Sequence, residues 1–193
     1  MGVMSAIEGG FCRSAPWRWL ARRAVLPWTI NDAALAGEVL ELGGGSGAMA
    51  ATVAQTIRGV RLTVTDLDPA MVSAARTRLE PFPRVRVETA DATTLPYADS
   101  SFDVVTSYLM LHHVIDWRPA LAEAARVLRP GGLFIGYDLC DTGIARIVHR
   151  LDGSPFRLLS PSQLREALAA AGFEEIVVEE RFRSHLMRFQ AVS

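Results

Sequence analysis

A chain of 193 residues, half of them apolar, is long enough to form one domain with a sizeable core. Its formal net charge of -1 supplies no global field to gather nucleic acid, and Cys12 and Cys140 stand far apart without ligand spacing, so neither a disulfide framework nor a structural zinc site is suggested. All twenty basic residues are arginine, and the lack of lysine excludes both a Walker-type phosphate loop and a pyridoxal-phosphate Schiff base.

Residues 1–35 come first and differ in character, since Trp17, Trp19, Trp28, Arg13, Arg18, Arg22 and Arg23 crowd into one short stretch. They predict a helix across the open end of a sheet, serving either as a packing element with solvated arginines or as a lid over a ligand. No run approaches the roughly 20 apolar residues that span a bilayer, and no basic segment precedes an apolar signal core. The expectation is a cytoplasmic protein, with no oligomeric state implied.

From Val39 onward, β-branched or apolar runs alternate with helical patterns, which predicts βαβ units and a parallel sheet. Strands are expected at residues 38–42, 60–65, 85–88, 102–107, 133–137, 175–179 and 185–192. Asp68-Pro69 reads as an N-cap with proline at the first helical position, and Ser160-Pro161-Ser162-Gln163 as a capping box. Gly131-Gly132 and Gly172 are expected to stop the helices that precede them.

The chemistry begins at Val39-Leu40-Glu41-Leu42-Gly43-Gly44-Gly45-Ser46-Gly47, a strand running into a glycine-rich turn and then a helical pattern at residues 48–57. Glycines permit unusual backbone angles and leave no Cβ between the turn and a nucleoside, while the helix N-terminus offers unpaired N–H groups. Gly43-x-Gly45-x-x-Ala48 also satisfies the dinucleotide fingerprint, so an NAD-linked oxidoreductase is an alternative. Glu41 favours a different ligand: a carboxylate beside the turn repels a pyrophosphate and suits an ammonium group, as in S-adenosylmethionine. Asp66, closing the second strand about twenty residues on, is the expected clamp for ribose hydroxyls in either case.

Taken together, Glu41-x-Gly43-x-Gly45-x-Gly47, Asp66, Asp91-Ala92, Leu95-Pro96, Ser101-Phe102-Asp103-Val104-Val105, Leu111-His112-His113 and Arg126-Val127-Leu128-Arg129-Pro130-Gly131-Gly132 closely resemble the class I S-adenosylmethionine-dependent methyltransferases of the ubiquinone/menaquinone-biosynthesis-like group. The resemblance spans residues 37–138. It implies an α/β fold with a Rossmann-like, doubly wound, seven-stranded sheet, mostly parallel with an antiparallel last strand and helices on both faces. It also implies S-adenosyl-L-methionine over the carboxyl ends of the first four strands, with Asp91 on the adenine amino group and the Ala92 backbone against the ring. Leu67, Met71 and Ser107 complete the expected cofactor-binding set. On this reading residues 36–138 form the cofactor-binding core of a single domain, and 139–193 the substrate side with the last two strands.

His112 and His113 follow the fourth strand, where the transferable methyl group is expected, and are candidates for a general base or for lining of the acceptor pocket. Tyr137 and Asp138, at the end of the fifth strand, are similarly placed, whereas Asp103 is expected to anchor the start of its strand. Methyl transfer is displacement at an already activated carbon and requires no metal, so alignment of the acceptor and exclusion of water are the protein's main tasks. No Asp- or Asn-Pro-Pro-Tyr/Phe motif follows the fourth strand, where Ser107-Tyr108-Leu109-Met110 stands instead, and this favours a small-molecule or lipid-like acceptor over nucleic acid. A non-catalytic protein that binds S-adenosylmethionine is the second alternative.

Overall fold

A computed structural model describes residues 19–30, 35–143, 145–147 and 156–193. Seven strands form one sheet: β1 (Glu38–Leu42), β2 (Arg61–Asp66), β3 (Val85–Thr89), β4 (Phe102–Tyr108), β5 (Leu128–Leu139), β6 (Glu174–Arg181) and β7 (Leu186–Val192). Their order is β3-β2-β1-β4-β5-β7-β6, and β7 runs antiparallel to both of its neighbours. The order reverses between β1 and β4, and at such a switch point the loops leaving two parallel strands diverge to opposite faces and open a crevice.

Alternation along the strands separates two cores. From β1, Leu40 and Leu42 enter one, together with Leu121 and Ala124 of a helix at Arg118–Val127 and Leu164 and Leu168 of a helix at Pro161–Ala170. Val39 enters the other, against Leu26 of α1 (Leu26–Ile30), Val53 of α2 (Ala48–Thr56) and Leu79 of α3 (Pro69–Leu79). The helices at Arg118–Val127 and Pro161–Ala170 are α4 and α5. Side chains of period two on the sheet and helices on each face make the doubly wound architecture.

The local signals operate as their chemistry requires. Asp68 accepts from the Ala70 N–H at 2.8 Å and caps α3, which leaves Asp66 for other work. Ser160 and Gln163 form the reciprocal capping box of α5, a device worth about 1 kcal/mol. Gly172 follows α5 at φ +93°, the left-handed position that ends a helix.

The Gly131-Gly132 pair behaves differently from expectation. α4 ends at Val127, Leu128 is already extended, and both glycines lie inside β5, which runs through residues 128–139 rather than 133–137. Gly131 donates its N–H to the Ser193 carbonyl at 2.8 Å and Ser193 donates to the Gly132 carbonyl at 2.9 Å, so the chain end continues the ladder and holds these residues as strand.

Of the tryptophan- and arginine-rich segment, residues 1–18 and 31–34 lie outside the described residues. The described part packs: Val25 and Leu26 are buried in the second core, and Trp28 stands edge-on to Phe182, with Arg188 donating to its carbonyl at 2.6 Å. Trp19 is exposed. Among the described residues no helix is long and apolar enough to cross a membrane.

Candidate active site

The glycine turn and Asp66 form one hydrogen-bonded unit. Gly43, Gly45 and Gly47 have φ of +59°, +53° and +75°, a region in which a side chain is strained. Their surroundings differ. A Cβ on Gly43 would fall 2.1 Å from Met110 Cγ, whereas one on Gly45 would meet nothing within 4 Å. Gly43 is therefore required by packing, and Gly45 keeps an open surface. The Gly45 N–H donates to Asp66 Oδ2 at 2.8 Å, and the Asp68 N–H to Asp66 Oδ1 at 2.9 Å. Burial raises the Asp66 carboxyl above its ordinary range, opposed by those backbone donors. Arg78, which the sequence reading did not single out, reaches across from α3 to the Ser46 hydroxyl at 2.7 Å and braces the turn from outside.

Glu41 is buried in β1, and its Oε2 has no hydrogen-bond partner among the described residues. Burial first, and the nearby Asp66 carboxylate second, push its carboxyl up to about 8. Its carbonyl accepts from the Thr65 hydroxyl at 3.0 Å, tying the ends of β1 and β2 together. Ser107 on β4, opposite Leu42, is fully buried with an Oγ that likewise lacks a partner among the described residues. Two unsatisfied polar atoms at neighbouring strand ends are costly unless a ligand's polar groups meet them.

The loop after β3 is held from α4. Asp91 Oδ1 accepts from both the N–H and the hydroxyl of Thr93, at 2.9 and 2.7 Å, which folds the loop on itself while Ala92 turns into the core. Glu123 accepts the Leu95 N–H at 2.6 Å, and Arg126 donates to the carbonyls of Leu95 and Tyr97 at 3.1 and 2.8 Å. In this way the Arg126-Val127-Leu128-Arg129 run explains itself: Arg126 clamps the loop. Arg129 pairs with Asp103 at 2.5 Å, while the other Asp103 oxygen accepts the Glu38 N–H at 2.8 Å, the anchoring role expected of Asp103. Leu67 is partly exposed and Met71 half-buried, at the end of β2 and the start of α3.

His112 and His113 lie in a 3-10 turn at Leu111–His113, both buried, with ring centroids 4.1 Å apart. His112 Nδ1 meets Asp138 Oδ1 at 2.5 Å. Tyr137 packs against Tyr108 in the second core, at 5.6 Å between ring centroids. Arg157, also unanticipated, donates its N–H to the His112 carbonyl at 2.8 Å and lays its guanidinium over the Trp117 ring. Parallel pairing brings the ends of β1, β2, β3, β4 and β5 to one edge of the sheet, so all these groups share that edge. No cluster of potential metal ligands occurs among the described residues.

Residues 40–136 match a family model described as a methyltransferase domain. A demethylmenaquinone methyltransferase of Clavibacter sepedonicus is 33% identical over 186 residues, covering 83% of this chain and 72% of the relative. The chain spans 30, 59 and 48% of the length of the three curated relatives that follow. Among solved structures, the putative methyltransferase in a complex with the Haloferax volcanii Trm112 methyltransferase activator superposes with a TM-score of 0.80 at 18% identity, covering 98% of each chain. Phosphoethanolamine N-methyltransferase 2 of Haemonchus contortus, in complex with S-adenosyl-L-methionine, gives 0.75 at 19% identity over 91% of this chain and 52% of that one. With half the chain inside the family model and a relative of this similarity, the chain belongs to the class I S-adenosylmethionine-dependent methyltransferase family, whose cofactor is S-adenosyl-L-methionine.

Proposed function

We propose that this chain transfers a methyl group from S-adenosyl-L-methionine to a small-molecule or lipid-like acceptor by direct displacement. The observation that carries the reading is the unit made by Glu41, the glycine turn and Asp66 at the switch point of the sheet. Its chemistry fits the cofactor: the buried, unpartnered Glu41 Oε2 suits an ammonium group, the open side of Gly45 admits a nucleoside, and Asp66 is turned to the same edge for ribose hydroxyls. Asp91, Ala92, Leu67 and Met71 would hold the adenosine side, with Ser107 beside the amino-acid portion. When bound, the cofactor supplies an electrophilic methyl carbon, and the chain's task is to orient the acceptor and keep water out.

The acceptor class is supported by the apolar character of the segment around His112 and His113, whose neighbours Leu111, Val114 and Trp117 are buried in the first core. The relative named for demethylmenaquinone points the same way. A cytoplasmic setting agrees with a chain of two cysteines, of which Cys140 is buried and free.

Calorimetry with S-adenosylmethionine and with NAD, followed by incubation of a metabolite extract with methyl-deuterated cofactor, tests the proposal. Binding of S-adenosylmethionine and a deuteromethyl product are expected. Binding without any product would favour a non-catalytic cofactor-binding protein, and binding of NAD alone would overturn the reading.

A further inference from the structure

His112 and Asp138 are separated by 26 positions in the chain and meet where both side chains are almost fully removed from water. A buried carboxylate is costly unless it is paired and hydrogen-bonded. Asp138 is provided for on each count: Oδ1 accepts from the Leu139 N–H at 2.7 Å and meets His112 Nδ1, while Oδ2 faces the His112 N–H at 3.4 Å. Burial raises the Asp138 carboxyl, but the His112 imidazole outweighs it and holds the group below the ordinary carboxylate range. Ionised Asp138 can only accept at Nδ1, which fixes the tautomer that carries its lone pair on Nε2 and stabilises the imidazolium formed when Nε2 takes a proton.

The segment that carries His112 touches the glycine turn. Met110, two residues before His112, is the side chain packed on Gly43. The other titratable groups around the pair are His113 on the same turn, Cys140 two residues along from Asp138, and Glu180 of β6 near that thiol; Arg157 meets the His112 carbonyl through its backbone N–H, with its guanidinium over the Trp117 ring.

We propose that His112, positioned by Asp138, receives the proton released in methyl transfer, and that the acceptor therefore carries an ionisable hydroxyl. This rests on the methyltransferase reading above. The hydroxyl O–H bond breaks and its proton goes to Nε2. The freed electron pair, at oxygen or delocalised onto a conjugated carbon, forms the bond to the methyl carbon, and the pair of the broken S–C bond stays on sulfur. A neutral amine or a thioether brings its own lone pair and calls for no base in that step, whereas a hydroxyl is a poor nucleophile until its proton moves.

The test uses the full chain in three measurements. In long-range nitrogen-15 spectra of the cofactor-free protein, His112 should appear as the Nδ1–H tautomer, and Asp138→Asn should lose that preference. Metabolite extract with methyl-deuterated S-adenosylmethionine should yield label on oxygen, or on carbon conjugated to a hydroxyl. With that acceptor, His112→Gln should lower kcat by roughly 10²–10⁴-fold and remove one limb of the pH profile, Asp138→Asn should act in the same direction, and cofactor affinity should be retained in both. An Nε2–H tautomer in the unaltered protein, label on amine nitrogen or thioether sulfur, or an intact pH profile in folded His112→Gln would each overturn the proposal while leaving the methyltransferase reading in place. Cofactor binding without labelled product would instead overturn that reading, and the base with it.

Discussion

The carboxylate of Asp66 and the backbone of Gly45 are hydrogen-bonded at 2.8 Å, so the group expected to hold the ribose also holds the shape of the turn beside it. Loss of the side chain should act twice, through missing ligand contacts and through a loosened turn. Asp66→Ala is expected to weaken S-adenosylmethionine binding by about 1.5–3 kcal/mol for each charge-assisted hydrogen bond removed. Isothermal calorimetry on the folded variant checks this, and an unchanged dissociation constant would remove Asp66 from the site.

Gly43 and Gly45 share a left-handed backbone but not a neighbourhood, and alanine should separate the two roles. At Gly43 the new methyl group collides with Met110, so the cost should include overpacking, about 1–3 kcal/mol, on top of the backbone strain. At Gly45 the strain alone applies, about 1–2 kcal/mol, while the added methyl group would stand where the proposed site admits the nucleoside. Thermal melts should rank Gly43→Ala as the less stable variant, with Gly45→Ala showing the larger loss of cofactor affinity relative to its stability. The reverse ranking would contradict these assignments.

Glu41 in the folded chain stays protonated until about pH 8, whereas its ordinary value is 4.5. Between those values the folded state holds more protons than the unfolded state. Glu41's contribution to stability is thus complete below about 4.5 and is lost as the pH rises through about 8, by no more than about 1.4 kcal/mol per pH unit. Melting temperature of the cofactor-free protein should decline over this window, and Glu41→Gln should flatten the decline. Equal slopes in both proteins would mean that Glu41 is ionised on folding.

The same carboxyl should release a proton when the cofactor binds, because an ammonium group beside it favours the charged form. At neutral pH the binding enthalpy should differ between phosphate and Tris buffers in proportion to their ionisation enthalpies. Glu41→Gln should abolish the difference. Buffer-independent enthalpies in the unaltered protein would separate Glu41 from the ligand's ammonium.

Arg126 ties the loop after β3 to α4 through the Leu95 and Tyr97 carbonyls, and Glu123 takes the Leu95 N–H. The side chains are partly exposed, so the ion pair itself adds little stability, at most about 1 kcal/mol. The main effect of Arg126→Ala should be local: faster amide exchange at Leu95 and in the Asp91–Thr94 turn, with a weaker hold on the adenine side of the cofactor. Exchange unchanged there would show that Glu123 and the core suffice.

Much of this protein follows from local chemistry and can therefore be read along the chain. Strand and helix periods, the Asp68 cap, the Ser160 box and the glycine turn depend on residues within a few positions of each other, and the two caps and the turn occur where the sequence marks them. Where sequence reasoning failed, a partner distant in sequence was responsible: Gly131-Gly132 continue a strand because Ser193 pairs with them. The candidate site divides in the same way. Glu41, Gly43, Gly45 and Asp66 are legible as residue types at characteristic spacing, but that Asp66 braces Gly45 is a matter of β1 lying beside β2. His112 and Asp138 were each recognisable as residues at strand ends. Only the parallel pairing of β4 with β5 carries them to one buried point, where removal from water turns two ordinary side chains into a single hydrogen-bonded unit.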